Sequence, residues 1–133
     1  MFSGHGDVKI IDFGLALDLR GHFRHRFDRV GSPSWMAPEI IKSKAQTTGV
    51  DIWGLGLILL SLANGGIPHD DDGLSGIMST ALGERKKLSE PEKWSENMNH
   101  FIHKCLRDDP ASRGTAEQLL EVSHSTQPNT LAY

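Results

Sequence analysis

Gly31-Ser32-Pro33-Ser34-Trp35-Met36-Ala37-Pro38-Glu39 closes a long stretch of the chain that follows no secondary-structure pattern. From Gly14 to Pro38, arginines, glycines and histidines mix with isolated apolar residues at neither helical nor strand spacing. A patternless segment of that length inside a compact domain is unusual, and is more often functional than not. Just upstream, Asp12-Phe13-Gly14 follows the β-branched run Val8-Lys9-Ile10-Ile11. That run comes after the turn-like Gly4-His5-Gly6-Asp7 and reads as one arm of a short β-hairpin. Downstream stand Asp51-Ile52-Trp53-Gly54-Leu55-Gly56 and then Lys104-Cys105-Leu106-Arg107-Asp108-Asp109-Pro110-Ala111-Ser112-Arg113.

Helical signals dominate after Pro38. Thr47 or Thr48 can cap a central helix running from Thr47 to Ala63, and Asn64-Gly65-Gly66 with Pro68 ends it. Its core, Ile52 to Ala63, is nearly all apolar and reads as a helix buried on all sides. It is far shorter than the roughly 20 residues a membrane span needs. A weaker helix covers Leu74 to Leu82, after Asp70-Asp71-Asp72. Ser95 and Glu96 open a third, in which Met98, Phe101, Ile102, Cys105 and Leu106 recur at helical spacing. Thr115 caps a fourth, and Gln118 three residues later completes a capping box. The segment 123–133 is polar and reads as a flexible tail.

Composition bounds the rest. The chain has 133 residues, 38% hydrophobic and 23% charged, which is the balance of a globular chain rather than a disordered one. A net charge of −3 gives no reason to expect a nucleic-acid or anionic-membrane partner. Arg20, Arg24, Arg26 and Arg29 are local, interleaved with histidines and phenylalanines. A single cysteine, Cys105, excludes an internal disulfide and favours a reducing compartment. Its place in an apolar helical pattern predicts a buried, inert thiol. The start of the chain has neither the charged nor the apolar region of a secretory signal, and a cytoplasmic setting is expected.

Four motifs therefore occur in one order: Asp7 to Ala16, Gly31 to Glu39, Asp51 to Gly56, and Lys104 to Arg113. This succession resembles the second half of the eukaryotic protein kinase domain, covering about Phe2 to Val122. The resemblance implies a mainly α fold, a partial kinase C-lobe with a β-hairpin remnant at its N-terminus. It implies a partial kinase domain over 1–122 and a tail over 123–133.

Further implications follow residue by residue. Asp12 matches the aspartate that holds Mg²⁺ against the ATP phosphates, where a hard cation needs an oxyanion. Phe13 matches the aromatic that packs beneath that site, and Gly14 supplies backbone freedom for its flip. Gly31, Ser32 and Trp35 look like the P+1 loop that seats a protein substrate. Ser32 resembles the hydroxyl residue found there in serine/threonine kinases, so substrates carrying Ser or Thr are expected. Glu39 matches a glutamate that pairs with a buried arginine late in the domain, and Arg113 stands where that arginine is expected. Asp51 resembles the aspartate that accepts hydrogen bonds from the catalytic-loop backbone. These last three are structural rather than catalytic.

Trp35-Met36-Ala37-Pro38-Glu39 resembles the Sterile-20 group. Together with Pro91-Glu92-Lys93-Trp94-Ser95, it looks most like the kinase domain attached to class III myosins, though germinal-centre kinases share both patterns. A cytoskeletal link would follow from a myosin parent. The group commonly carries a phosphorylatable threonine four residues before Ser32; here that position is Asp28. Its fixed charge either substitutes partly for a phosphate or is a neutral surface substitution. Gly54 replaces a small Ser or Ala, and Gly114 replaces a proline after Arg113, which predicts a looser turn.

No glycine-rich G-x-G-x-x-G, strand-lysine or H-R-D motif occurs in the 133 residues. Laid on the family pattern, Met1 falls about two residues beyond the catalytic loop. Of the catalytic groups only Asp12 is present, so the chain alone is expected neither to catalyse nor to hold ATP and Mg²⁺ tightly. A non-catalytic interaction module is the competing reading. Without the two helices that normally precede the catalytic loop, the central helix is expected to lack neighbours on one side. His22 with His25, and His100 with His103, lack the further ligands of a metal site and read as solvated. Asp70-Asp71-Asp72 lacks calcium-loop spacing, and Arg85-Lys86-Lys87 reads as an exposed loop.

Overall fold

A computed structural model describes residues 4–19, 27–66, 73–83 and 87–124. The expectations for Met1 to Ser3, for most of the arginine and histidine run at 20–26, for Pro68, for Asp70-Asp71-Asp72, for Arg85-Lys86 and for the tail 125–133 lie outside the described residues.

Among the described residues every regular element is a helix: α1 (Pro38–Ile41), α2 (Gly49–Asn64), α3 (Gly73–Ala81), α4 (Glu96–Cys105) and α5 (Ala116–His124). Short 3-10 turns lie before α1 at Pro33–Trp35, between α3 and α4 at Pro91–Lys93, and between α4 and α5 at Pro110–Ser112, each with proline in its first turn. Proline suits that position because its fixed φ is ready-made and its missing N–H has no partner to lose.

Caps set the helix bounds. Thr47 Oγ1 accepts from the Gly49 N–H at 3.2 Å, so Thr47 and not the adjacent Thr48 supplies the side-chain cap of α2. Gly65 ends that helix at φ 75°, a left-handed conformation open to glycine. Ser95 Oγ accepts from the Met98 N–H at 3.2 Å to start α4. Thr115 and Gln118 form a reciprocal box at α5, with Thr115 N–H to Gln118 Oε1 at 3.0 Å and Gln118 N–H to Thr115 Oγ1 at 3.3 Å.

Helix α2 packs chiefly on α4, and α4 in turn on α5. The core is Ala37, Trp53, Leu57, Leu60, Leu88, Ile102 and Leu106, with Trp35, Ile40, Val50, Leu59, Ala63 and Met98 against it. Gly56 makes the α2–α4 approach possible. A Cβ there would lie 2.6 Å from Cys105 Cβ and 2.8 Å from Leu106 Cδ2. Helix α3 lies against α1 and the Pro33–Trp35 turn.

Two expectations need correction. Helix α2 is not buried on all sides: Leu55, Ile58 and Leu62 are exposed, the last at 74%. Val8 to Ile11 forms no strand among the described residues, and Val8, Ile10 and Ile11 are exposed. A β-branched run becomes a strand only when a second strand takes its N–H and C=O groups.

Candidate substrate-binding and nucleotide-binding segments

The Gly31–Glu39 segment is held from its far end. Glu39 and Arg113 are buried, and their side chains meet as a fork-to-fork pair, Nη1 to Oε1 at 2.6 Å and Nη2 to Oε2 at 2.7 Å. Arg113 also donates through Nη1 to Gly49 O at 2.8 Å, through Nε to Arg107 O at 2.7 Å, and through Nη2 to Asp108 O at 3.3 Å. Every guanidinium N–H is thus used, as a buried cation requires. The same guanidinium carbon lies 5.0 Å from the centre of the Trp53 ring. One side chain therefore joins α1, the first turn of α2 and the connection from α4 to α5.

With Glu39 fixed, the preceding residues are shaped by the 3-10 turn. Trp35 N–H donates to Ser32 O at 3.0 Å and Met36 N–H to Pro33 O at 3.2 Å. Gly31 has φ 112°, a region where a side chain would be strained. Gly31 and Ser32 are exposed, Trp35 is half-buried against the core, and Ala37 is buried. The segment thus presents a polar, accessible edge on an anchored base.

Asp12, Phe13 and Gly14 are all exposed. It is Asp12, not Gly14, that takes the positive φ, at 64°. Asp12 Oδ1 accepts from the Gly14 N–H at 3.2 Å, a local bond that offsets the strain of a left-handed aspartate. A Cβ on Gly14 would crowd that oxygen at 3.2 Å. Phe13 is 69% exposed. Asp12 offers one exposed carboxylate to a cation, and no group of three metal-ligating side chains forms among the described residues. That donor set fits Mg²⁺ only in its common mode, with one or two carboxylates and the remaining oxygens from phosphates and water.

Asp51 sits in the first turn of α2, exposed, with no hydrogen bond from a described residue to its carboxylate. Asp28 is exposed, and its carbonyl accepts from Gln46 Nε2 at 2.7 Å. Gln46 is buried, and sequence reasoning passed it over because a lone glutamine carries no periodic signal. The same holds for Ser43, whose Oγ accepts from Arg29 Nε at 2.9 Å. Gly114 does not loosen its turn. It is buried, and a Cβ there would press on Leu119 at 3.2 Å. Cys105 is fully buried, and desolvation pushes its thiol up to about 12 against the opposing pull of the Arg113 charge.

A family model described as the protein kinase domain matches residues 1–125. The chain belongs to the protein kinase family. It is similar to "Probable serine/threonine-protein kinase mkcC" of Dictyostelium discoideum, 40% identical over 134 residues, covering 98% of this chain and 15% of that protein. It is also similar to serine/threonine-protein kinase STE20 of Saccharomyces cerevisiae, 33% identical over 128 residues, covering 96% of this chain and 14% of that protein. Serine/threonine-protein kinase dst1 of Dictyostelium discoideum is 36% identical over 121 residues, 90% of this chain and 16% of that protein. The chain spans about a sixth or less of the length of these curated relatives. The mostly helical body built on α2 is that of a kinase C-lobe. No helix among the described residues of this kinase segment is long and apolar enough to cross a membrane.

Proposed function

We propose that this chain is the substrate-seating part of a serine/threonine protein kinase domain, and that the intact protein transfers the γ-phosphoryl group of ATP to Ser or Thr of other proteins. The observation that carries this reading is the anchored Gly31–Glu39 segment, with its base locked through Glu39 to Arg113 and its Gly31–Ser32 edge exposed. Phosphoryl transfer is mostly positioning and electrostatics, so a rigid seat for the acceptor segment is what this lobe contributes.

Within that reading Asp12 supplies one oxygen ligand to Mg²⁺, which when bound neutralises charge on the ATP phosphates. Gly31, Ser32 and Trp35 form the P+1 loop, and Ser32 marks hydroxyl rather than phenol acceptors. Asp28 occupies the regulatory position of the activation loop. Glu39, Asp51 and Arg113 are scaffold. Residues 1–122 form the kinase segment, and α5 carries it on to His124. Gly31–Glu39 and Pro91–Ser95 support a place in the Sterile-20 group, near the kinase domains of class III myosins. That placement brings a cytoplasmic setting and a cytoskeletal partner, and it requires a motor domain in the same reading frame.

The test compares the full-length gene product with the 133-residue chain. The full-length protein is expected to label a Ser/Thr peptide but not a Tyr peptide from Mg-ATP. Asp12→Asn should lower that rate by at least about 100-fold, the scale of losing one electrostatic contact to developing charge. The 133-residue chain should show neither transfer nor a Mg-ATP thermal shift. A full-length protein that binds partners yet transfers no phosphate would instead make this a non-catalytic interaction module.

A further inference from the structure

Ser43 stands where a helix usually ends in glycine. Helix α1 closes in a Schellman motif, with Ser43 N–H to Ile40 O at 3.1 Å and Lys44 N–H to Glu39 O at 2.8 Å. The residue in that position takes a positive φ, and Ser43 has φ 49°. A serine held there is strained, and strain of this kind points to a task for the side chain. The Ser43 hydroxyl makes one described contact, accepting from Arg29 Nε at 2.9 Å. Gln46 adds a second grip on the same stretch through Asp28 O at 2.7 Å. Ser43, its neighbours Lys42 and Lys44, and Arg29 are all exposed.

We propose that Ser43 is a phosphoacceptor for a basophilic protein kinase, and that its phosphate docks on Arg29 to fasten the activation segment to the end of α1. In the modifying step Ser43 Oγ bonds to the γ-phosphorus of ATP and the bridging β–γ bond breaks. ADP leaves, and the hydroxyl proton passes to the modifying enzyme's base. The product carries roughly −1.5 to −2 charges and three acceptor oxygens. Arg29, already bonded to this oxygen, meets it with the planar fork suited to phosphate. Lys42 and Lys44 add two cations. Asp28 is the like charge beside Arg29, and the three cations outnumber it; Glu39, nearby in the fold, is neutralised by Arg113. Only the consequence of the modification rests on the proposed function, in which Asp28 and Arg29 belong to the activation loop.

The 133-residue chain is incubated with Mg-ATP and a purified protein kinase that selects serines flanked by Lys and Arg. Mass spectrometry then maps the phosphate, and phosphorus NMR titrates it. Phosphate is expected on Ser43, and Ser43→Gly, a variant that relieves the backbone strain, should take up one phosphate fewer per chain. The phosphoserine should titrate below its ordinary value of about 6 and move up toward it in Arg29→Ala, where Lys42 and Lys44 remain. A chain that takes no phosphate at Ser43 overturns the acceptor site. Identical titrations in wild type and Arg29→Ala overturn the docking. Neither readout uses catalysis by this protein, so failure of the kinase reading would leave both intact.

Discussion

Arg113 and Glu39, 74 residues apart, share a two-pronged contact of 2.6 and 2.7 Å in the buried centre of the lobe. Removing one partner strands the other as an uncompensated charge. Glu39→Gln or Arg113→Ala should therefore cost roughly 3–5 kcal/mol in urea unfolding. Because the pair is shielded from solvent, added salt should change the wild-type stability little. A loss below about 1 kcal/mol for either variant would match an exposed pair and contradict the burial.

Gly54 and Gly56 lie two residues apart in α2 and should respond to alanine with opposite signs. A Cβ on Gly54 meets nothing within 4 Å, so Gly54→Ala should gain about 0.5–1 kcal/mol from reduced backbone entropy. A Cβ on Gly56 meets Cys105 Cβ at 2.6 Å, so Gly56→Ala should cost about 1–3 kcal/mol by overpacking. Thermal melts of the two variants check the contrast.

The thiol of Cys105, raised from 9.0 to about 12, makes stability fall at high pH. Above pH 9 the unfolded chain releases this proton while the folded chain keeps it, so unfolding is favoured progressively up to about pH 12. The contribution is fully present below pH 9. Cys105→Ala should flatten this limb of the stability curve. Iodoacetamide at pH 8 should label the wild type slowly until urea exposes the thiol.

Asp109 acts at the other end of the pH scale. Its carboxylate accepts from Ser112 Oγ at 2.7 Å and from the Ala111 N–H at 3.1 Å, and these bonds hold its pKa below the ordinary 3.8. The stability it lends is present above that value and is lost as pH falls through the lowered one. Asp109→Ala should blunt the acid limb, read by circular dichroism between neutral pH and strong acid.

Leu55, Ile58 and Leu62 on α2, and Val8, Ile10, Ile11, Phe13, Leu15 and Leu17 before it, leave two apolar strips exposed. Patches of this kind favour association and dye binding. The 133-residue chain should bind ANS strongly and self-associate, and Leu62→Lys should reduce both in light scattering. A monomeric, ANS-silent chain with a cooperative melt would count against this.

Much of the fold was legible in the residues alone. Periodicity and caps act within a turn or two, so Thr47, Ser95, and Thr115 with Gln118 announced the starts of α2, α4 and α5. The ordered motifs likewise singled out Asp12, Gly31, Ser32, Glu39 and Arg113. What a local pattern cannot state is which groups meet across the chain. Val8 to Ile11 has strand composition, yet among the described residues it shows a single bridge at Val8 and no strand, because a strand needs a continuous ladder of paired residues. The all-apolar run in α2 is buried on one face only, since periodicity reports an apolar side chain and not the neighbour that covers it.

The stretch from Gly31 to Glu39 shows the division most clearly. In order with the three other motifs it pointed to the family and to Arg113 as the expected partner of Glu39, because motif identity resides in residue type and order. Only the tertiary structure decided that Arg113 would spend its remaining N–H groups on Gly49, Arg107 and Asp108, that Gly56 would admit α4, and that Ser43 would hold Arg29. Those contacts depend on distances of a few ångströms between segments far apart in the chain, and packing alone sets such distances.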